Sequence, residues 1–145
     1  MAREIVVDAN VIVAQLDGTD AFSESARILG QRLRNEGADL ILLDILVNEA
    51  VSVICRRSRE RHRAPPNLES VLSIVRNWVD QGAIRWIANE AERLASSILD
   101  VVRETNGMLN FNDAFLVALQ RDELIDDVAS FDRGFDNVSG FRRIS

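Results

Sequence analysis

The chain has 145 residues, 47% hydrophobic and 28% charged, with a formal net charge of −6. This is the size and make-up of one ordinary globular domain with a real core, so a single domain over 1–145 is expected. All 17 basic residues are Arg, which excludes Schiff-base chemistry, a P-loop lysine and the phosphate-sensing lysine of response regulators.

The single histidine, His62, excludes zinc sites built on two or three imidazoles. A Ser-His-Asp triad would have to place that imidazole, from the basic run "RRSRERHR", in a buried and oriented position, and a solvated stretch is poorly suited to this. Cys55 is the only cysteine, so no internal disulfide forms, in keeping with a reducing compartment. The N-terminus "MAREIVVDAN" lacks the layout of a signal peptide, and no apolar run approaches the length of a membrane span. A cytoplasmic protein is therefore expected.

In chain order, residues 4–9 ("EIVVDA") form the first predicted strand. Asp8 stands in this Val/Ile-rich run, with Asn10 two places on; the two side chains point the same way if the chain stays extended. Residues 21–37 carry Phe22, Ala26, Leu29 and Leu33 at helical spacing and stop at Gly37. A strand is predicted over 38–43. A helix over 45–57 follows Asp44 as its N-cap, and there Glu49 lies beside Leu46, Ala50 and Val53 on the apolar stripe. Residues 56–63 hold Arg56, Arg57, Arg59, Arg61 and Arg63 with His62, and run into Pro65-Pro66.

A helix is predicted over 67–82, a strand over 83–88 and a helix over 89–107. The helix over 110–122 opens with Asn110 as N-cap and Asp113 three places later, the pattern of a capping box, in front of an apolar body. A strand over 127–131 follows, with Asp132 just past its end, as Asp8 stands just past the first. Ser130 can aim a hydroxyl the same way, and Asp136 is an additional acid. A last strand is predicted over 141–144.

Strands alternating with helices imply a parallel sheet covered on both faces. Such sheets place function beyond the carboxyl ends of their strands, where strand order reverses. Asp8 and Asp132 sit at strand ends, Glu49 lies in the helix after the second strand, and Asp113 opens the helix over 110–122. Two like charges about 5 Å apart repel by roughly 3 kcal/mol at an effective dielectric of 20. Several such pairs would consume much of a domain's ~5–15 kcal/mol stability. Convergent acids therefore require a cation or protonation, and hard Mg²⁺ or Mn²⁺ suits carboxylate oxygens.

The segments "IVVDANVIVA", "LVNEAVSVI", "LNFNDAFLVAL" and "VASFDRGFDNVSGFRRI", in this order and spacing, resemble the PIN domain family and within it the VapC-type toxin ribonucleases. The resemblance covers essentially the whole chain. It implies a three-layer α/β/α sandwich on a central, mostly parallel five-stranded sheet, with an acidic pocket that binds Mg²⁺ or Mn²⁺ and hydrolyses RNA phosphodiester bonds to 5′-phosphate and 3′-hydroxyl ends. On this view Asp8, Asp113 and Asp132 bind metal, and Glu49 binds it directly, through water, or orients the nucleophile. Asn10 and Ser130 hold those groups in place. The five arginines from Arg56 to Arg63 would meet RNA or an acidic partner such as a cognate antitoxin segment. A homodimer is implied by the resemblance alone. Asp44 has no role beyond an N-cap.

Two rivals remain. A phosphotransferase of the haloacid dehalogenase type needs a second Asp where this chain has Asn10, and a Lys that the chain lacks. A catalytically silent member of the fold would serve as an RNA- or protein-binding regulatory module.

Overall fold

The first strand ends sooner than its apolar character suggests. In the computed structural model, which describes residues 2–60 and 67–145, β1 spans Glu4–Val7 and α1 spans Ala9–Leu16. The expected extended path to Asn10 does not occur. Asp8 caps the new helix, and its carbonyl accepts from the N–H groups of Val11 and Ile12 at 3.0 Å each. Ala9, Val11, Ile12, Val13 and Ala14 are all buried, so packing around α1 outweighs the weak helix preference of Val and Ile.

The other elements follow the expected order. They are α2 (Ser23–Asn35), β2 (Asp39–Leu43), α3 (Asp44–Glu60), α4 (Leu68–Asp80), β3 (Ile84–Arg85), α5 (Glu90–Glu104), α6 (Phe111–Arg121), β4 (Asp127–Ala129), a 3-10 turn (Arg133–Asn137) and β5 (Arg143–Ile144). Gly37 and Gly82, read as helix stops, have φ of +75° and +64°, left-handed values that glycine adopts without a Cβ penalty. Phe22, read as part of the apolar helical stripe, stands just ahead of α2 and is 52% exposed.

Asp44 departs from its expected role. It is the first residue of α3 and is buried, and its carboxylate accepts from the N–H groups of Ile87 (2.9 Å) and Ala88 (3.1 Å). It thereby ties the segment after β3 to the start of α3.

The strands form one five-stranded sheet in the order β3-β2-β1-β4-β5. Every pair is parallel, with Val6 in register between Ile41 and Val128. Helix α1 packs on α2 and α3, and α4 on α3, while α5 packs on α6; with the sheet between them, these layers form the α/β/α sandwich. Ile5, Val6 and Val7 of β1 are buried, as strands covered on both faces must be. Strand order reverses at β1, with β2 and β3 to one side and β4 and β5 to the other. The crevice of such a sheet therefore opens beyond the carboxyl ends of β1 and β4. Among the described residues no helix is long and apolar enough to cross a membrane.

Candidate active site

Asp8 leaves β1 at that crevice, and it is 3% exposed. Three donors answer its charge. The N–H of Ala9 donates to Oδ1 at 2.7 Å, while the Ser130 hydroxyl and the Asn10 amide donate to Oδ2 at 2.6 and 3.2 Å. Ser130, at the end of β4, is fully buried. Its oxygen also accepts from Asn10 Nδ2 at 3.0 Å and from the N–H of Asp132 at 3.1 Å. The one hydroxyl thus links β1, α1 and the loop after β4. Asn10 completes the link by accepting from the N–H of Phe131 at 3.1 Å. It reaches Asp8 through a turn of helix rather than along a strand.

Asp132 caps the 3-10 turn, accepting from the N–H of Gly134 at 2.8 Å. Asp113 and Asn110 form the expected capping box: Asn110 accepts from the N–H of Asp113 at 2.9 Å, and Asp113 accepts from that of Asn110 at 3.3 Å. Glu49, on α3, is half-buried.

These carboxylates act on one another. Burial raises Asp8 from 3.8 to about 6 against the Ser130 and Ala9 hydrogen bonds, and the charges of Glu49 and Asp132 push it further up. Burial likewise raises Asp113 to about 6, with added repulsion from Asp8 and Asp132 and opposition from the backbone of Asn110. Glu49 is raised by burial and by Asp113, with the Asn112 amide opposing. Acids far apart in sequence thus share one electrostatic neighbourhood and disfavour one another's charged forms.

Among the described residues, no three acidic, His or Cys side chains stand close enough together to hold a metal ion as they are placed. The donor chemistry nevertheless fits a hard divalent cation: the coupled groups are carboxylates, and Asp8 and Asp113 are raised to about 6 by burial and by neighbouring acids, with no guanidinium among the described residues offsetting them.

Asp136 belongs to a separate pair. It accepts from Arg143 Nε and Nη2 at 2.9 and 3.0 Å, and this guanidinium holds its carboxyl below the usual range. Arg143 also donates to the carbonyl of Ser130 at 2.8 Å, so it braces the loop that carries Asp132. Sequence reasoning missed Arg143, although it lies in the closing "GFRRI". It also missed Asn112, the neighbour of Asp113.

The arginine cluster divides. Arg57 pairs with Asp17 and Asp20 at 2.8 and 2.7 Å and ties α3 to the end of α1. Arg57 thus has acidic partners within the chain. Arg56 and Arg59 are exposed; Arg61, His62 and Arg63 lie outside the described residues. Arg56 stands on a groove of about 350 Å³ that also takes in Asn10, Phe22, Glu49, Val53 and Arg57.

A family model described as the PIN domain matches residues 5–140. No curated protein matches the sequence. Among solved structures, the crystal structure of Mycobacterium tuberculosis VapC20, described as a sarcin-ricin loop cleaving toxin, superposes with a TM-score of 0.66. The match covers 94% of this chain and 95% of that one at 18% identity, a likeness of fold.

Proposed function

The chain belongs to the PIN domain family, and on that premise we propose that it is a divalent-metal-dependent endoribonuclease, the toxin of a type II toxin–antitoxin pair. The supporting observation is the mutual electrostatic coupling of Asp8, Glu49, Asp113 and Asp132 at the point where strand order reverses. The toxin assignment is supported by the fold shared with a described RNA-cleaving toxin. RNA, a cognate antitoxin and a second copy of the chain are the proposed partners.

Asp8, Asp113 and Asp132 would hold Mg²⁺ or Mn²⁺, with Glu49 beside them. Bound there, such an ion supplies neutralisation of the phosphodiester and a lowered pKa for an attacking water. The chain's own groups do the remaining work. Ser130 and Asn10 fix the Asp8 carboxylate in one orientation. The capping box fixes the backbone around Asp113. Glu49, half-buried and with its carboxyl raised by burial and by Asp113, is suited to orient a water.

The test is cleavage of RNA by purified protein with Mg²⁺, Mn²⁺ or EDTA, compared with Asp8→Asn and Asp113→Asn, together with growth on induced expression. Metal-dependent cleavage and growth arrest, both lost in the variants, are expected. Saturable Mn²⁺ binding without cleavage of any RNA would favour the silent regulatory module. Absence of both binding and cleavage would remove the nuclease reading altogether.

A further inference from the structure

Phe22 is an aromatic side chain that the core does not use. Its ring stacks on Phe131 with centroids 5.0 Å apart and planes 17° from parallel, yet 52% of the residue remains exposed. Both rings are carried on pinned backbone. The N–H of Phe22 donates to Asp20 Oδ1 at 2.8 Å, and Arg57 in turn holds Asp20. The N–H of Phe131 donates to Asn10, the residue whose amide also reaches Asp8. Phe131 lies directly between Ser130 and Asp132. The platform is therefore built into the loop of the acidic site, and Phe22 faces the groove shared with Glu49 and Arg56.

We infer that Phe22, backed by Phe131, is a stacking platform for one nucleobase of a single-stranded RNA next to the phosphodiester held at the acids, with Arg56 meeting a neighbouring phosphate. The inference rests on the nuclease reading. Every base has an apolar π-face that gains from an aromatic partner, whereas a base inside a duplex is already stacked on both sides. At 5.0 Å the two rings leave no room between them, so the base adds to the open face of Phe22. Arg57 answers Asp17 and Asp20; Arg56, exposed on the groove, offers a guanidinium to the backbone of the same strand.

A single-stranded RNA oligonucleotide carrying 2-aminopurine is titrated with the protein in EDTA, which prevents cleavage, and its fluorescence is followed. Wild type and Phe22→Trp are expected to bind saturably and quench the probe. Phe22→Ala and Phe22→Leu should bind about tenfold more weakly, with the quenching lost. The Leu variant keeps apolar bulk against Phe131, so a melting temperature near wild type separates stacking from folding. Equal affinity and quenching in wild type, Ala and Leu proteins would overturn the inference. So would recovery by Leu to the level of Trp. If wild type neither binds this RNA nor cleaves any RNA with Mn²⁺, the nuclease reading itself falls; intact cleavage with Phe22-independent binding removes only the platform.

Discussion

Replacing Asp8 by Asn should make the metal-free protein more stable at neutral pH while abolishing activity. Burial and the neighbouring acids raise Asp8 from 3.8 to about 6. At about 1.4 kcal/mol per pKa unit, holding it charged costs about 3 kcal/mol of folding stability. The native state binds this proton more tightly than the unfolded chain does. The group's stability contribution is therefore complete below pH 3.8, declines as pH rises through about 6, and is lost above that.

Asn removes the charge but keeps one acceptor oxygen where Asp8 uses two, on Ala9 at one and on Ser130 and Asn10 at the other. The misplaced amide costs about 1–2 kcal/mol. The net expectation at pH 7.5 in EDTA is a gain of about 1–2 kcal/mol, or roughly 3–6 °C in melting temperature for a domain of this size. At pH 4.5 wild-type Asp8 is protonated, and the advantage should vanish or reverse. With saturating Mn²⁺ at pH 7.5 wild type should regain the lead, because only it gains full binding energy. Thermal unfolding followed by circular dichroism under these three conditions is the assay. A variant that melts below wild type at pH 7.5 in EDTA, with the same gap at pH 4.5, would refute the electrostatic account of this site.

Because Asp8 and Asp113 both titrate near 6, Mn²⁺ binding should displace protons and weaken roughly tenfold between pH 7.5 and 5.5; calorimetry giving a pH-independent Kd would contradict this. Ser130→Ala removes the donor to Asp8 Oδ2 and the acceptor for Asn10 and Asp132. It should cost about 1–3 kcal/mol of stability in urea unfolding and weaken Mn²⁺ binding by 10- to 100-fold. Asp44→Ala strips the acceptor from the N–H groups of Ile87 and Ala88. It should destabilise by about 2–3 kcal/mol and leave Mn²⁺ affinity unchanged; a folded variant with weakened affinity would draw Asp44 into the metal-binding set.

Much of the architecture was legible because its signals are local. Alternation of apolar runs with helical stripes marked the parallel sheet, and glycines with φ of +75° and +64° ended helices where expected. The capping box at Asn110 and Asp113 was readable from two residues three apart. Helix α1 was not readable, since Val and Ile favour strands locally and the burial of Ala9 and Val11 to Ala14 in the tertiary structure supports "ANVIVAQL" as a helix. The engagement of Arg57 was not readable for a similar reason. Its partners Asp17 and Asp20 lie 40 and 37 residues away, and nothing in "CRRSRERHR" distinguishes the engaged guanidinium from its neighbours.

The order of residues alone determined which chemistries were available: carboxylates without lysine, one imidazole, and acids just past apolar strands. Those are properties of composition and of nearest neighbours. Tertiary structure decided which acids meet. Asp8 and Ser130 are 122 positions apart but bonded at 2.6 Å, because β1 and β4 are adjacent strands that end together. It also separated Asp44 and Asp136 from that set by giving each its own donors. A carboxylate's role depends on the charges and dipoles within a few ångströms of it, and those are set by chain crossings that no local pattern encodes.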